Sequence, residues 1–175
     1  MSRLAGVGAV SAAESEERRA RVALSFLANP GDPVLGAALR VIPAAEILAA
    51  AAGSVGSGEA KLASRAETPA LAGAIRRWRD RLGEVPSTAR LAAWQQSGLR
   101  LVMPGDAEWP TQLDDLGDAR PVLLWARGTA DLRYACLNSV SIVGARAATG
   151  YGNHVGLEMA AMISESGMTV ISGGA

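Results

Sequence analysis

With 175 residues, 49% of them hydrophobic and 19% charged, the chain has the makings of a packed core and is too apolar for a disordered segment. Its 17 Lys/Arg balance 17 Asp/Glu, so whole-chain charge carries no nucleic-acid signal. One cysteine (Cys136) excludes an intrachain disulfide and a cysteine-built zinc site, and one histidine (His154) argues against a His-rich metal centre or a Ser–His–Asp triad with a spare base. Aromatic residues make up only 4%, so a core must come from Ala, Leu, Val and Ile. Sixteen of the basic residues are Arg, a compositional bias that discourages reading each one as functional. Residues 1–105 hold 13 basic against 9 acidic residues, and residues 106–175 hold 4 against 8. No apolar run reaches the ~18 residues of a membrane span, and the first residues lack the apolar region of a secretory signal, so a cytoplasmic protein is expected.

In chain order, residues 1–13 lack periodicity and read as a loose tail. A helix follows from Glu14, with Ala20, Ala23, Leu24 and Leu27 on one face, and Asn29-Pro30-Gly31-Asp32-Pro33 stops it. Short helices are predicted over Val34–Leu39 and Ala44–Ala52, the second opened after Pro43 and closed by Gly53. Gly53–Gly58 reads as a loop. Leu71, Ile75, Trp78 and Leu82 make one stripe on a helix predicted over Glu67–Leu82. Ser87 or Thr88 caps another helix, which carries Leu91 and Trp94 and ends at Gly98. Residues 14–97 thus read as a compact helical module.

The periodicity then changes. Strands are expected at Leu99–Met103 and Pro121–Ala126, separated by an acidic loop, Asp106 to Asp118. Ser139–Val143 and Met168–Ser172 are further apolar strands. Between them Tyr151–Ser166 is helical, with Val155, Met159, Met162 and Ile163 as its stripe and Gly167 after its end. Strand, glycine turn, helix, glycine, strand is a βαβ unit with two parallel strands. A doubly wound sheet needs further elements to cover both faces, so the chain reads as the first part of a larger domain.

The first turn of that unit, Val143-Gly144-Ala145-Arg146-Ala147-Ala148-Thr149-Gly150, brings glycine to a strand end and opens a helix. The helix N-terminus offers unpaired N–H groups to a phosphate. The dinucleotide fingerprint G-x-G-x-x-G is absent, because Arg146 stands at its second glycine position. Arg146 would crowd a pyrophosphate but suits direct bidentate contact with one phosphate. The second strand ends Ser172-Gly173-Gly174-Ala175, and ligands of open α/β sheets sit at the carboxyl ends of strands. Read alone, each turn is equally compatible with a tight connection that binds nothing.

From about Leu99 onward the chain resembles the DprA/Smf family. The pieces that match, in the family's order, are Asp106-Ala107-Glu108-Trp109-Pro110-Thr111-Gln112-Leu113, Arg120-Pro121-Val122-Leu123-Leu124-Trp125-Ala126-Arg127-Gly128, Val140-Ser141-Ile142-Val143-Gly144-Ala145-Arg146 with Thr149-Gly150-Tyr151-Gly152, and Val170-Ile171-Ser172-Gly173-Gly174-Ala175. The resemblance implies an α/β fold: a small helical (SAM-like) domain over 14–97, then the N-terminal part of an extended Rossmann-like domain over 98–175. It implies a non-enzymatic, cofactor-free binder of single-stranded DNA that protects incoming DNA in natural transformation and loads the RecA recombinase. It also implies a homodimer in the full-length protein, with the dimer surface mainly beyond Ala175. The family's pocket arginine maps onto Arg146, its glycine turn onto Gly144, Ala145 and Thr149, and its second turn onto Ser172, Gly173 and Gly174.

Two other readings compete. A Rossmann-like nucleotide or sugar-phosphate hydrolase of the lysine-decarboxylase-like type wants a Pro-Gly-Gly-x-Gly-Thr motif and a catalytic Glu, and neither stands before Ala175. A non-functional truncated remnant is the third. Elsewhere, Arg76-Arg77-Trp78-Arg79-Asp80-Arg81 interleaves arginine with an aromatic, a pattern that tracks single strands, but Trp78 lies on the apolar stripe and a solvated charged face is the plainer reading. Trp109 and Trp125 read as core, Cys136 as a small buried residue, His154 as uninvolved, and Asp114, Asp115 and Asp118 as a solvated loop rather than a metal site.

Overall fold

The computed structural model describes residues 12–53 and 58–173. Most of the tail expected over 1–13, the centre of the Gly53–Gly58 loop, and Gly174 lie outside them; Ala12 and Ala13 already belong to the first helix.

Six helices come first. α1 (Ala12–Leu27) turns Ala20, Val22, Ala23, Leu24 and Leu27 inward. α2 (Pro33–Leu39) starts at a proline whose missing N–H costs nothing there, and Asp32 Oδ1 accepts from Val34 N (2.9 Å) and Leu35 N (3.3 Å). α3 (Ala44–Ala52) has the predicted bounds. α4 (Glu59–Arg65) was not predicted. Seven residues with Leu62 and Ala63 as its buried apolar anchors leave little periodicity to detect. α5 (Ala70–Asp80) carries the Leu71, Ile75, Trp78 stripe into the core. It begins three residues later than expected because the chain reverses first. Glu67 adopts φ 49°, Glu67 N donates to Ser64 O (3.2 Å) and Thr68 N to Ala63 O (3.0 Å), which closes α4 with a Schellman turn. A 3-10 turn (Leu82–Glu84) and α6 (Thr88–Gln96) follow, with Ser87 Oγ accepting from Arg90 N at 3.3 Å.

Leu24, Leu27, Leu35, Ile47, Leu71 and Ile75 have no exposed surface and form the helical core. One ion pair sits beside it. Arg79 Nη2 donates to Glu59 Oε1 (2.6 Å), and the same guanidinium donates to the carbonyls of Ala50 (2.8 Å) and Ala51 (3.0 Å) at the end of α3. One side chain thereby satisfies a buried carboxylate and two helix-terminal acceptors.

β1 (Leu99–Val102) and β2 (Leu124–Arg127) pair antiparallel, with Leu101 opposite Trp125 and Leu99 opposite Arg127. The acidic segment between them folds into 3-10 turns over Thr111–Ala119. There Trp109 is buried, as expected, and donates from Nε1 to Asp114 Oδ1 (3.0 Å), which Arg120 also holds. The hairpin packs on the helices. Val22 contacts Met103 and Leu123, Val122 joins the helical core, and a Cβ on Gly36 of α2 would lie 1.9 Å from the Asp118 carbonyl. Arg18 of α1 grips Asp106 through two bonds (2.6 and 3.1 Å), and Asp106 also accepts from Met103 N (2.8 Å). Burial pushes the Asp106 carboxyl up, but Arg18 and the Met103 N–H outweigh it and hold it below the usual carboxylate range.

α7 (Leu132–Leu137), also not predicted, is a single capped stretch in which Asp131 Oδ1 accepts from Arg133 N and Tyr134 N. Then come β3 (Ser139–Ile142), α8 (Gly150–Glu165) and β4 (Thr169–Ser172). β3 and β4 are parallel, in register Ser139 to Thr169 through Ile142 to Ser172, and among the described residues they form a sheet separate from β1–β2. Together these elements give the expected α/β class, an N-terminal helical region followed by a parallel βαβ unit. Among the described residues no helix is long and apolar enough to cross a membrane.

Candidate nucleic-acid interface

The βαβ unit ends both of its strands at one edge. Ile142 and Ser172 are register partners, so the segments that follow them, Val143–Thr149 and Gly173, leave the sheet side by side. With the first turns of α8 they border an open groove of ≈ 800 Å³. Of the residues singled out from sequence, Gly144, Ala145, Arg146, Ser172 and Gly173 line this groove. Thr149 does not. It caps α8 instead, its Oγ1 accepting from Gly152 N at 3.1 Å. Gly174 lies outside the described residues.

Three features give the groove its chemistry. The first is the guanidinium of Arg146, which is exposed and has no carboxylate or carbonyl partner among the described residues. The second is the open end of α8. Its first helical bond runs from Asn153 N to the Thr149 carbonyl (3.0 Å), which leaves the N–H groups of Gly150 and Tyr151 ahead of the ladder. The positive end of a 16-residue helix dipole therefore faces the groove mouth. The third is bare backbone. A Cβ added at Gly144, Gly150 or Gly173 would meet nothing within 4 Å, and none of the three has a positive φ. Among the described residues neither packing nor backbone conformation demands glycine there.

The groove also takes in residues that the sequence reading did not assign to a site, notably Ala148 and Asn153. Asn153 lies one turn into α8 from Thr149, and that helical spacing is the signal that would have found it. His154 points elsewhere, pairing with Glu158 (Nε2 to Oε1, 3.3 Å) on the exposed face. The interleaved run at 76–81 makes no stacking face, because Trp78 is only 3% exposed and Arg79 is bound to α3 and Glu59. Asp114 and Asp118 are held by Arg120 and Arg40, and among the described residues no cluster of His, Cys, Asp or Glu is suited to a metal ion.

Residues 100–175 match the family described as DNA recombination-mediator protein A. Two relatives, each described as "Putative DNA processing protein DprA", come from Mycobacterium tuberculosis strains CDC 1551 / Oshkosh and ATCC 25618 / H37Rv. Each is 38% identical over 89 residues, an alignment that takes in 45% of this chain and 23% of the relative. The chain thus spans about a quarter of the length of these relatives. No solved structure matches it significantly. The segment that matches the family model, residues 100–175, contains the arginine turn, α8 and both parallel strands.

Proposed function

We propose that the groove at the carboxyl edge of β3 and β4 binds the sugar–phosphate backbone of single-stranded DNA. The observation that carries this is the unpaired Arg146 guanidinium beside the open N-terminus of α8, over glycines that nothing among the described residues requires. Arg146 supplies a fixed fork of donors for a phosphate. The Gly150 and Tyr151 N–H groups add a second, uncharged set with the helix dipole behind them. The absence of side chains at Gly144 and Gly173 lets a strand approach the backbone across the open groove.

On this reading Gly144, Ala145, Arg146, Thr149, Ser172 and Gly173, with Gly174 beyond them, form the contact surface, Thr149 acting by fixing the helix end. The activity is binding rather than catalysis, without a cofactor, in the cytoplasm. The family and the relatives' description as DNA processing proteins support a role in recombination, in which the bound strand is protected during transformation and handed to RecA by a homodimer of the full-length protein.

Titration of a fluorescent oligodeoxynucleotide against wild type and Arg146→Ala tests the site. Loss of a charge-assisted bond, worth ~1.5–3 kcal/mol, should weaken affinity about 10- to 100-fold. Equal affinity in the two proteins rejects the site.

A further inference from the structure

A second surface combines flat aromatic rings with free positive charge. Phe26 of α1, Trp94 of α6 and Trp125 of β2 meet around an open notch of ≈ 410 Å³, with Ser97, Leu99 and Arg127 completing its wall. Trp94 and Trp125 stand at 86° with centroids 5.8 Å apart, and Phe26 lies 5.8 Å from Trp125 and 6.3 Å from Trp94. The three rings are half-buried, so each keeps surface toward the notch. Two perpendicular indoles make a corner, a shape that receives a planar ring against one wall and its edge against the other.

Two arginines without a carboxylate partner stand at this corner. Among the described residues eight arginines are held by carboxylates. Arg90 and Arg127 are not. Arg90 lies over the Trp94 ring, 5.2 Å from its centroid, and Arg127 stands on the rim. Among the described residues no acidic side chain lines the notch. Trp125 and Arg127 are two apart on β2 and so share a sheet face. An occupant with a flat apolar ring joined to a negative group matches both halves of this surface.

We infer that the Phe26–Trp94–Trp125 notch is a second nucleic-acid contact, which stacks one unpaired base while Arg90 and Arg127 meet the adjoining phosphates. The inference rests on the reading that the protein binds single strands, and adds to the phosphate grip at Arg146 a contact that needs bases. Stacking on aromatic rings tolerates any sequence, because every base has a π-face.

The test compares a deoxythymidine oligomer with an abasic oligomer of equal length, read by binding and by quenching of intrinsic tryptophan fluorescence. Trp78 and Trp109 are only 3% and 2% exposed, so quenching by a bound base reports on Trp94 and Trp125. Wild type should be quenched by the thymidine oligomer and not by the abasic one. Trp94→Leu should bind the thymidine oligomer about 5- to 100-fold more weakly, the range for one stacked base, with little change toward the abasic oligomer. Arg90→Gln/Arg127→Gln, which alters only exposed charge, covers the chance that loss of the indole disturbs folding, and should weaken binding to both oligomers. If Trp94→Leu and the double arginine variant both bind like wild type while Arg146→Ala fails, the notch is not a site and the groove stands. If the notch variants fail while Arg146→Ala binds normally, the groove falls and the notch stands. Quenching that follows protein concentration without DNA would mean that a second copy covers the rings, and overturns the inference.

Discussion

The helical region and the βαβ unit solve opposite problems. In the first, Leu24, Leu27, Leu35, Ile47, Leu71 and Ile75 are sealed from solvent, and its arginines tie helices to carboxylates and carbonyls. In the second, no described residue of β3, α8 or β4 is fully buried. Leu157 and Met162 are 73% and 68% exposed. Large apolar side chains left open on more than one face of a 16-residue helix favour a covering partner. Stability and the candidate site therefore reside in different places: the helices and the β1–β2 hairpin hold the fold, and the groove beside Arg146 sits on the less buried part.

The largest expected effect separates these regions. Leu24→Ala empties a sealed position and should cost about 2–5 kcal/mol in urea unfolding, whereas Met162→Ala, a change of the same kind on the open face, should fall within about 0.5 kcal/mol of wild type. Similar losses from both would mean that the βαβ unit is packed as tightly as the helices. A smaller effect concerns the joint between α1 and the hairpin. The Asp106 carboxyl is held below its ordinary value, so the stability it contributes is complete above the unfolded-state value near ~3.9 and is lost as pH falls through the depressed folded value. Asp106→Asn should cost about 1 kcal/mol at neutral pH, a modest figure because the pair with Arg18 is partly exposed and screened, and the gap to wild type should close below pH ~4. A gap that persists unchanged in acid would deny the pair its role. The smallest is a gain. Glu67 sits at φ 49°, and Glu67→Gly should raise stability by up to ~1 kcal/mol in the same unfolding assay, since glycine adopts that conformation without steric cost.

What was readable in the sequence follows the same division of physics. Leu71, Ile75 and Trp78 repeat at helical spacing, and Pro43 and Gly53 bracket α3, so those elements could be drawn from local chemistry alone. The β3–α8–β4 unit was equally legible, because its strands are short apolar runs bounded by glycine, and their parallel pairing brings the two turns together. α4 and α7 escaped, since six or seven residues show too little periodicity. The antiparallel docking of β1 and β2 onto α1 escaped for another reason: it depends on Arg18 meeting Asp106, 88 positions away, and on rings brought together by three separate elements. Trp125, expected in the core, proves half-buried for that reason. At the groove, Arg146, Gly144 and Gly173 stand out as candidates by residue type and by their place at strand ends. The role of Thr149 as the cap of α8, its Oγ1 accepting from Gly152 N, depends on where that helix begins.

The most direct measurement is the salt dependence of single-strand binding by wild type and Arg146→Ala. If Arg146 neutralises one phosphate, the slope of log K against log salt should shrink in magnitude by about 0.7 in the variant, alongside its weaker affinity at every salt concentration. Parallel lines, offset or superimposed, would show that this guanidinium displaces no counterion and that the groove does not hold the strand in the way described.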